Sequence, residues 1–297
     1  MPAHQQSPSY EGRPLPRPGD EVVDQGLGFD LGTLLTRRRV LAFLGVGAAG
    51  VGLAACGGTS STSSATSSAS GTTAGALTEI PDETAGPFPG DGSNGPDVLE
   101  QSGIVRSDIR SSFGEASGTA AGVPMTLELT VRDLANGGVP FAGVAVYVWH
   151  CDRDGRYSMY SDGVTDQNYL RGVQIADATG TVSFTSIVPA CYPGRWPHVH
   201  FEVYPDQASI TDATTTLATS QVALPEDVCD AAYATAGYSE SVRTLAQISL
   251  TSDNVFGEDG GASQLATASG DASRGWTVSL PVGVDTTTTP GARGPRG

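Results

Sequence analysis

The chain has 297 residues and a formal net charge of -16, with 32 acids against 16 basic residues, every one of them arginine. A surface this acidic repels phosphate backbones and anionic lipid headgroups, which excludes a nucleic-acid partner. The length leaves room for one large domain or two small ones.

Residues 1–35 are polar and give no structural reading. The stretch TRRRVLAFLGVGAAGVGLAAC, Thr36 to Cys56, then sets a run of arginines before an apolar segment. An Arg-Arg pair in that position reads as a twin-arginine (Tat) export signal. The apolar run from Val40 to Ala55 is short for a bilayer span, which needs about 20 residues. Its end, Leu53-Ala54-Ala55-Cys56, resembles a lipobox, in which Cys56 becomes the lipidated first residue of the mature protein. Residues 1–56 are therefore expected to direct Tat export. The protein would be anchored to the outer face of the cell membrane through Cys56, or secreted. Residues 57–76 are Gly, Ser, Thr and Ala almost throughout, a flexible tether. The folded body is expected over 77–285, with a disordered tail over 286–297. Cys151, Cys191 and Cys229 remain in the body. In an exported protein a disulfide is plausible and an odd count leaves one thiol over, with the pairing open.

The body reads as β. VPMTLELTVRDL alternates apolar and polar residues with the period of a half-buried strand. In VAVYVWHCD, Val144, Val146, Val148 and His150 share one face and Ala145, Tyr147 and Trp149 the other. DRDG (Asp152 to Gly155) is read as a turn, because no acidic ligand follows at calcium-loop spacing. DATGTVSFTSIVPACYPG is a turn and strand closed by Pro193-Gly194, and HVHFEVYP is a strand that Pro205 ends. LPEDVCDAAYATAG is expected to be one short helix stopped by Gly237. VRTLAQISL and GWTVSLPVGV are expected to be later strands. Short strands with turns between them predict an all-β fold, a β-sandwich of mixed or antiparallel sheets with long loops.

The chemistry concentrates in CYPGRWPHVHFEVY, Cys191 to Tyr204. On a strand, His198 and His200 project to one face, roughly 7 Å apart at the backbone, close enough for two imidazoles to reach one ion. Val199 and Phe201 then turn toward the core. Tyr192 lies before a Pro-Gly turn that can fold it back, and Arg195 stands three residues before His198. Tyr157 follows the DRDG turn. His150 is read as a satisfied core or rim histidine, not a further ligand.

Three segments together, DRDGRYS, SIVPACY and RWPHVH, resemble the intradiol ring-cleavage dioxygenases, which include catechol and protocatechuate dioxygenases. ETAGPF, Glu83 to Phe88, is similar to that family's N-terminal Glu-Thr-x-Gly-Pro-Phe stretch. The resemblance implies a non-haem Fe(III) site held by Tyr157, Tyr192, His198 and His200, with Tyr192 and His200 axial. It implies O2 insertion into a catecholic ring to give a cis,cis-muconate-type product, with Tyr192 displaced and able to take a proton. Arg195 matches an arginine beside the substrate ring, and Gln221 resembles a glutamine near the site. The donor types agree, because phenolate oxygens are hard anionic ligands suited to ferric iron. This set differs from the two-histidine, one-carboxylate triad of Fe(II) oxygenases. Trp196-Pro197 departs from the family pattern and is where an unusual substrate pocket is expected.

The expected partners are a small catecholic aromatic and O2, with membrane contact only through Cys56. A homo-oligomer is compatible with the sequence. The competing reading is a non-catalytic β-sandwich module that binds aromatic or carbohydrate ligands through Trp149, Trp196 and Tyr204. An iron-holding lipoprotein without turnover is a third.

Overall fold

A computed structural model describes residues 77–290 and the backbone of two short antiparallel strands, β1 (Ser9–Tyr10) and β2 (Arg13–Pro14). The export signal, Cys56, the 57–76 tether and the last seven residues lie outside the described residues.

Two sheets form the body. In one, β3 (Pro124–Asp133) runs parallel to β11 (Gly275–Val284), which pairs with β10 (Thr267–Asp271). Successive stretches of β3 also pair antiparallel with β7 (Thr181–Ile187) and the two-residue β4 (Val139–Pro140). The other sheet is fully antiparallel, in the order β6 (Arg171–Ile175), β5 (Ala145–Trp149), β8 (His198–Tyr204), β9 (Ala218–Ala223). Pro281 interrupts nothing in β11, because β10 has already ended opposite Ser279.

The core lies between the sheets. Met125, Leu127, Leu129 and Val131 of β3 meet Val146 and Val148 of β5 and Val199, Phe201 and Val203 of β8. The alternation read in the sequence is what sorts these residues. Val144, Val146 and Val148 enter this core, whereas Ala145, Tyr147 and Trp149 enter a second cluster on the opposite face of the sheet. That second face is roofed by the chain before β3, through Val98, Leu99 and Ile104. Every residue of β5 and β8 is consequently buried. The outer side of the antiparallel sheet is thus an interior, and the candidate site lies there.

The predicted helix is α1 (Glu226–Tyr233). VRTLAQISL is not a strand: its first residues finish a second helix, α2 (Ser239–Leu245), and the rest is loop. Its apolar residues fall three apart at Val242, Leu245 and Ile248, a helical spacing, and Leu245 and Ile248 pack against the core. The expected disulfide is absent: Cys151, Cys191 and Cys229 are free, buried thiols.

Candidate active site

Two tight turns bring the tyrosines to the histidine strand. At Tyr192-Pro193-Gly194-Arg195 the Arg195 amide donates to the Tyr192 carbonyl at 3.2 Å, and Gly194 takes φ +84°. Proline followed by a positive-φ glycine suits such a turn, and it folds Tyr192 back over β8. The DRDG segment is a turn, as expected. Asp152 Oδ1 accepts from the amides of Asp154 and Arg156, and Asp152 Oδ2 accepts from Arg156 and from the Tyr169 hydroxyl. The chain leaves it at Tyr157, whose amide donates to Ser161 Oγ.

Four side chains converge. Tyr157 Oη lies 3.3 Å from Tyr192 Oη. Tyr192 Oη lies 3.1 Å from His198 Nε2, and His198 Nε2 lies 3.1 Å from His200 Nε2. The Trp196 carbonyl takes a hydrogen bond from His198 Nδ1 at 2.6 Å. That contact puts the proton on Nδ1 and leaves Nε2 as a lone pair facing the cluster. Trp149 stacks on His200 at 4.9 Å and 7°. Gly86 (φ +74°) closes over the other side, where an added Cβ would stand 3.3 Å from His200 Cε1.

The cluster carries no charge of its own. Burial, and next the neighbouring Tyr192, hold the Tyr157 phenol well above the tyrosine range. Burial pushes Tyr192 up to about 12 despite the opposing cation of Arg195. Burial, and then Arg195, hold both imidazoles well below the usual histidine value. Two phenols and two neutral imidazoles therefore bring two oxygen and two nitrogen atoms to one point, with the lone pair of His198 Nε2 at its centre. Such a donor set fits a hard cation, which would draw the phenolic protons off.

Arg195 flanks the cluster. Its Nη1 lies 3.5 Å from His198 Nε2, and its Nη2 donates to Gln221 Oε1 at 2.5 Å. Gln221, opposite His200 on β9, donates in turn to the Thr84 carbonyl at 2.9 Å. All six residues singled out in the sequence thus meet in one place, and the ETAGPF segment covers them. His150 stands apart as a satisfied core residue, bonded to Ser186 Oγ and the Cys151 carbonyl.

Trp196 does not shape an open pocket. Its indole is buried with Ala223 and Phe256 and donates to the Leu224 carbonyl, so its backbone and not its ring serves the site. Trp149 and Tyr204 are also fully buried, so none of the three presents a surface stacking face.

Sequence reasoning missed three contributors. Asp253 bonds Arg195, Phe256 lies beside His198, and the buried Arg171 fastens the roof. Only the Asp-Asn pair at 253–254 hinted at a turn, and nothing tied it to Arg195, 58 positions earlier.

Glu83, beside Arg195, is raised to about 7, first by burial and then by Glu258. The folded carboxyl keeps its proton up to that pH, whereas an ordinary one releases it near 4.5. The native state then binds more protons across this window, and stability falls as pH rises through it. Glu83→Gln is expected to flatten that decline in a series of melting curves from pH 4.5 to 8. A curve that keeps the wild-type slope assigns the decline elsewhere.

Residues 94–200 match the family model described as "Dioxygenase". A chlorocatechol 1,2-dioxygenase of Rhodococcus opacus is 33% identical over 93 residues, covering 27% of this chain and 35% of that protein. Another from Pseudomonas sp. (strain P51) is 29% identical over 130 residues, covering 38% and 49%. The chain thus spans half or less of the length of these relatives. The fold is shared with the intradiol ring-cleavage dioxygenase from Tetranychus urticae, at TM-score 0.57 and 21% identity, over 72% of this chain and 98% of that one. The matched segment ends at His200 and carries both tyrosines, Arg195 and both histidines, so the similarity to a dioxygenase family falls on the candidate site itself.

Proposed function

We propose that this protein is a non-haem, Fe(III)-dependent dioxygenase that opens a catecholic ring between its two hydroxyl-bearing carbons. Both oxygen atoms of O2 enter the product, a cis,cis-muconate-type diacid. The observation that carries this reading is the convergence of Tyr157 Oη, Tyr192 Oη, His198 Nε2 and His200 Nε2. These four would hold the metal, and bound ferric iron would supply the Lewis acidity that activates a chelated catecholate toward O2.

The remaining work falls to the chain. Tyr192, only partly exposed at the start of its turn, is the residue placed to take up a catechol proton, which it would accept as a phenolate. Arg195 presents a fixed cation beside the reacting ring, where negative charge develops. Gln221 keeps that guanidinium in place from the far side. Phe88, whose ring centroid is 5.1 Å from that of Tyr157, and Phe256 wall the site with apolar surface that excludes water. Carriage by the Tat route, with Cys56 as lipid anchor, would place this activity outside the cytoplasm. The Arg37-Arg38 pair and the Leu-Ala-Ala-Cys motif support that placement.

Protein loaded with iron should be burgundy from tyrosinate-to-iron charge transfer. It should consume one O2 per diphenol in an oxygen electrode charged with catechol, protocatechuate, hydroxyquinol or a caffeate-like diphenol. A colourless protein with full ferric occupancy overturns the ligand set. A coloured protein inert to every diphenol overturns the catalytic reading in favour of iron binding alone.

A further inference from the structure

Asp253 lies in the loop between α2 and β10, and its side chain is fully buried. A buried carboxylate is costly unless its oxygens are met by donors. Here each oxygen receives two. Oδ1 accepts from the amides of Val255 (2.7 Å) and Phe256 (2.9 Å). Oδ2 accepts from Arg195 Nε (3.0 Å) and the Trp196 amide (2.6 Å).

Anchoring its own loop requires only the first oxygen. The second reaches across to the segment that leads into His198. With Nε on Asp253, Nη2 on Gln221 and Nη1 toward His198, all three guanidinium nitrogens are fixed, and the plane of the cation is set. The same carboxylate seats the turn at Phe256–Glu258, which brings the Phe256 ring within 5.8 Å of Arg195 Cζ and 6.5 Å of the His198 ring. One side chain thus sets both the direction of the cation and the apolar wall beside it.

We infer that Asp253 is a positioning residue for ring cleavage, acting through Arg195. This rests on the ring-opening reading above. An asparagine at 253 has one acceptor and one donor face, so its amide must confront either Arg195 and Trp196 or Val255 and Phe256. Asp253→Asn is expected to lower kcat per bound iron about 10- to 100-fold, the range typical for residues that orient a metal-site group. KM for the diphenol and the visible band should stay near wild type. Hydrogen exchange of the metal-free protein should rise in residues 195–198 and 253–258.

A double-mutant cycle separates positioning from mere packing. In an Arg195→Gln background, Asp253→Asn should cost no further kcat. Equal losses in both backgrounds overturn the proposal, as does an Asp253→Asn enzyme with wild-type kcat per iron. Should Asp253→Asn fail to fold, Asp253→Glu, which keeps the charge but displaces the guanidinium, takes its place in the cycle with the same outcomes. A wild-type protein inert to every diphenol removes the ring-opening reading and this proposal together, whereas an active one with additive losses removes this proposal alone.

Discussion

Tyr157→Phe is expected to lose most of the visible absorption of the iron-loaded protein and at least about 100-fold in ring opening. Residues that only orient metal ligands already cost 10- to 100-fold when changed, and Tyr157 is proposed to be a ligand itself. The substitution is a clean one. Phenylalanine keeps the ring contacts to Phe88 at 5.1 Å and the edge contact to His200 at 6.2 Å. It deletes only the hydroxyl that lies 3.3 Å from Tyr192 Oη. That hydroxyl meets no other hydrogen-bond partner among the described residues, so the melting temperature should change little. Iron content, absorption spectrum and oxygen uptake measured on one preparation decide the matter. Unchanged colour and turnover at full iron would refute the role of Tyr157.

Arg171→Met is expected to be the most destabilising single change at the site. Arg171 is buried on β6, and its five N–H groups meet five oxygens, none a carboxylate. Nε donates to Ser158 Oγ, Nη1 to the Pro89 carbonyl and Tyr147 Oη, and Nη2 to the carbonyls of Phe88 and Ser158. Methionine fills much of the volume and donates to none of them. Each buried acceptor left unmet costs about 1–3 kcal/mol. Allowing for partial relaxation, a loss of about 3–5 kcal/mol follows, or on the order of 10 °C in Tm for a domain of this size. The roof over Tyr157 would loosen along with the scaffold, because Phe88 and Ser158 share this anchor. A thermal melt within 2 or 3 °C of wild type, a range set by about 1 kcal/mol, would show that the five oxygens find other partners.

What the sequence made legible was whatever rests on local period and turn chemistry. The two-residue repeat of VAVYVW sorted β5 between two interiors, and Pro193-Gly194 announced the turn that returns Tyr192. His198 and His200 had to share a face once their strand was recognised. The network behind them could not be read the same way. β9 carries Ser220 and Gln221, which look like surface residues yet are fully buried. Their burial depends on partners at Thr84, Arg195 and Gln264, all distant in sequence. Asp253 is hidden for the same reason: its meaning lies in an arginine that another element delivers. α2 was misread because a seven-residue helix shows too few turns for its apolar spacing to stand out from a short strand. Trp196 drew attention as an oddity of the motif, but its indole belongs to a packing cluster, and packing residues vary without leaving a mark on chemistry.

β8 carries the core and the site on alternate residues of one seven-residue strand, Val199, Phe201 and Val203 on one face and His198 and His200 on the other. A slip of one position would drive imidazoles between the sheets and turn valine and phenylalanine toward the tyrosines. The hydrophobic force that selects the register of the fold therefore also selects the orientation of the histidines. Quality control of the scaffold and quality control of the site become one event during folding. A cooperatively melting preparation that lacks activity then points to the supply of metal, and the remedy is reconstitution, not refolding.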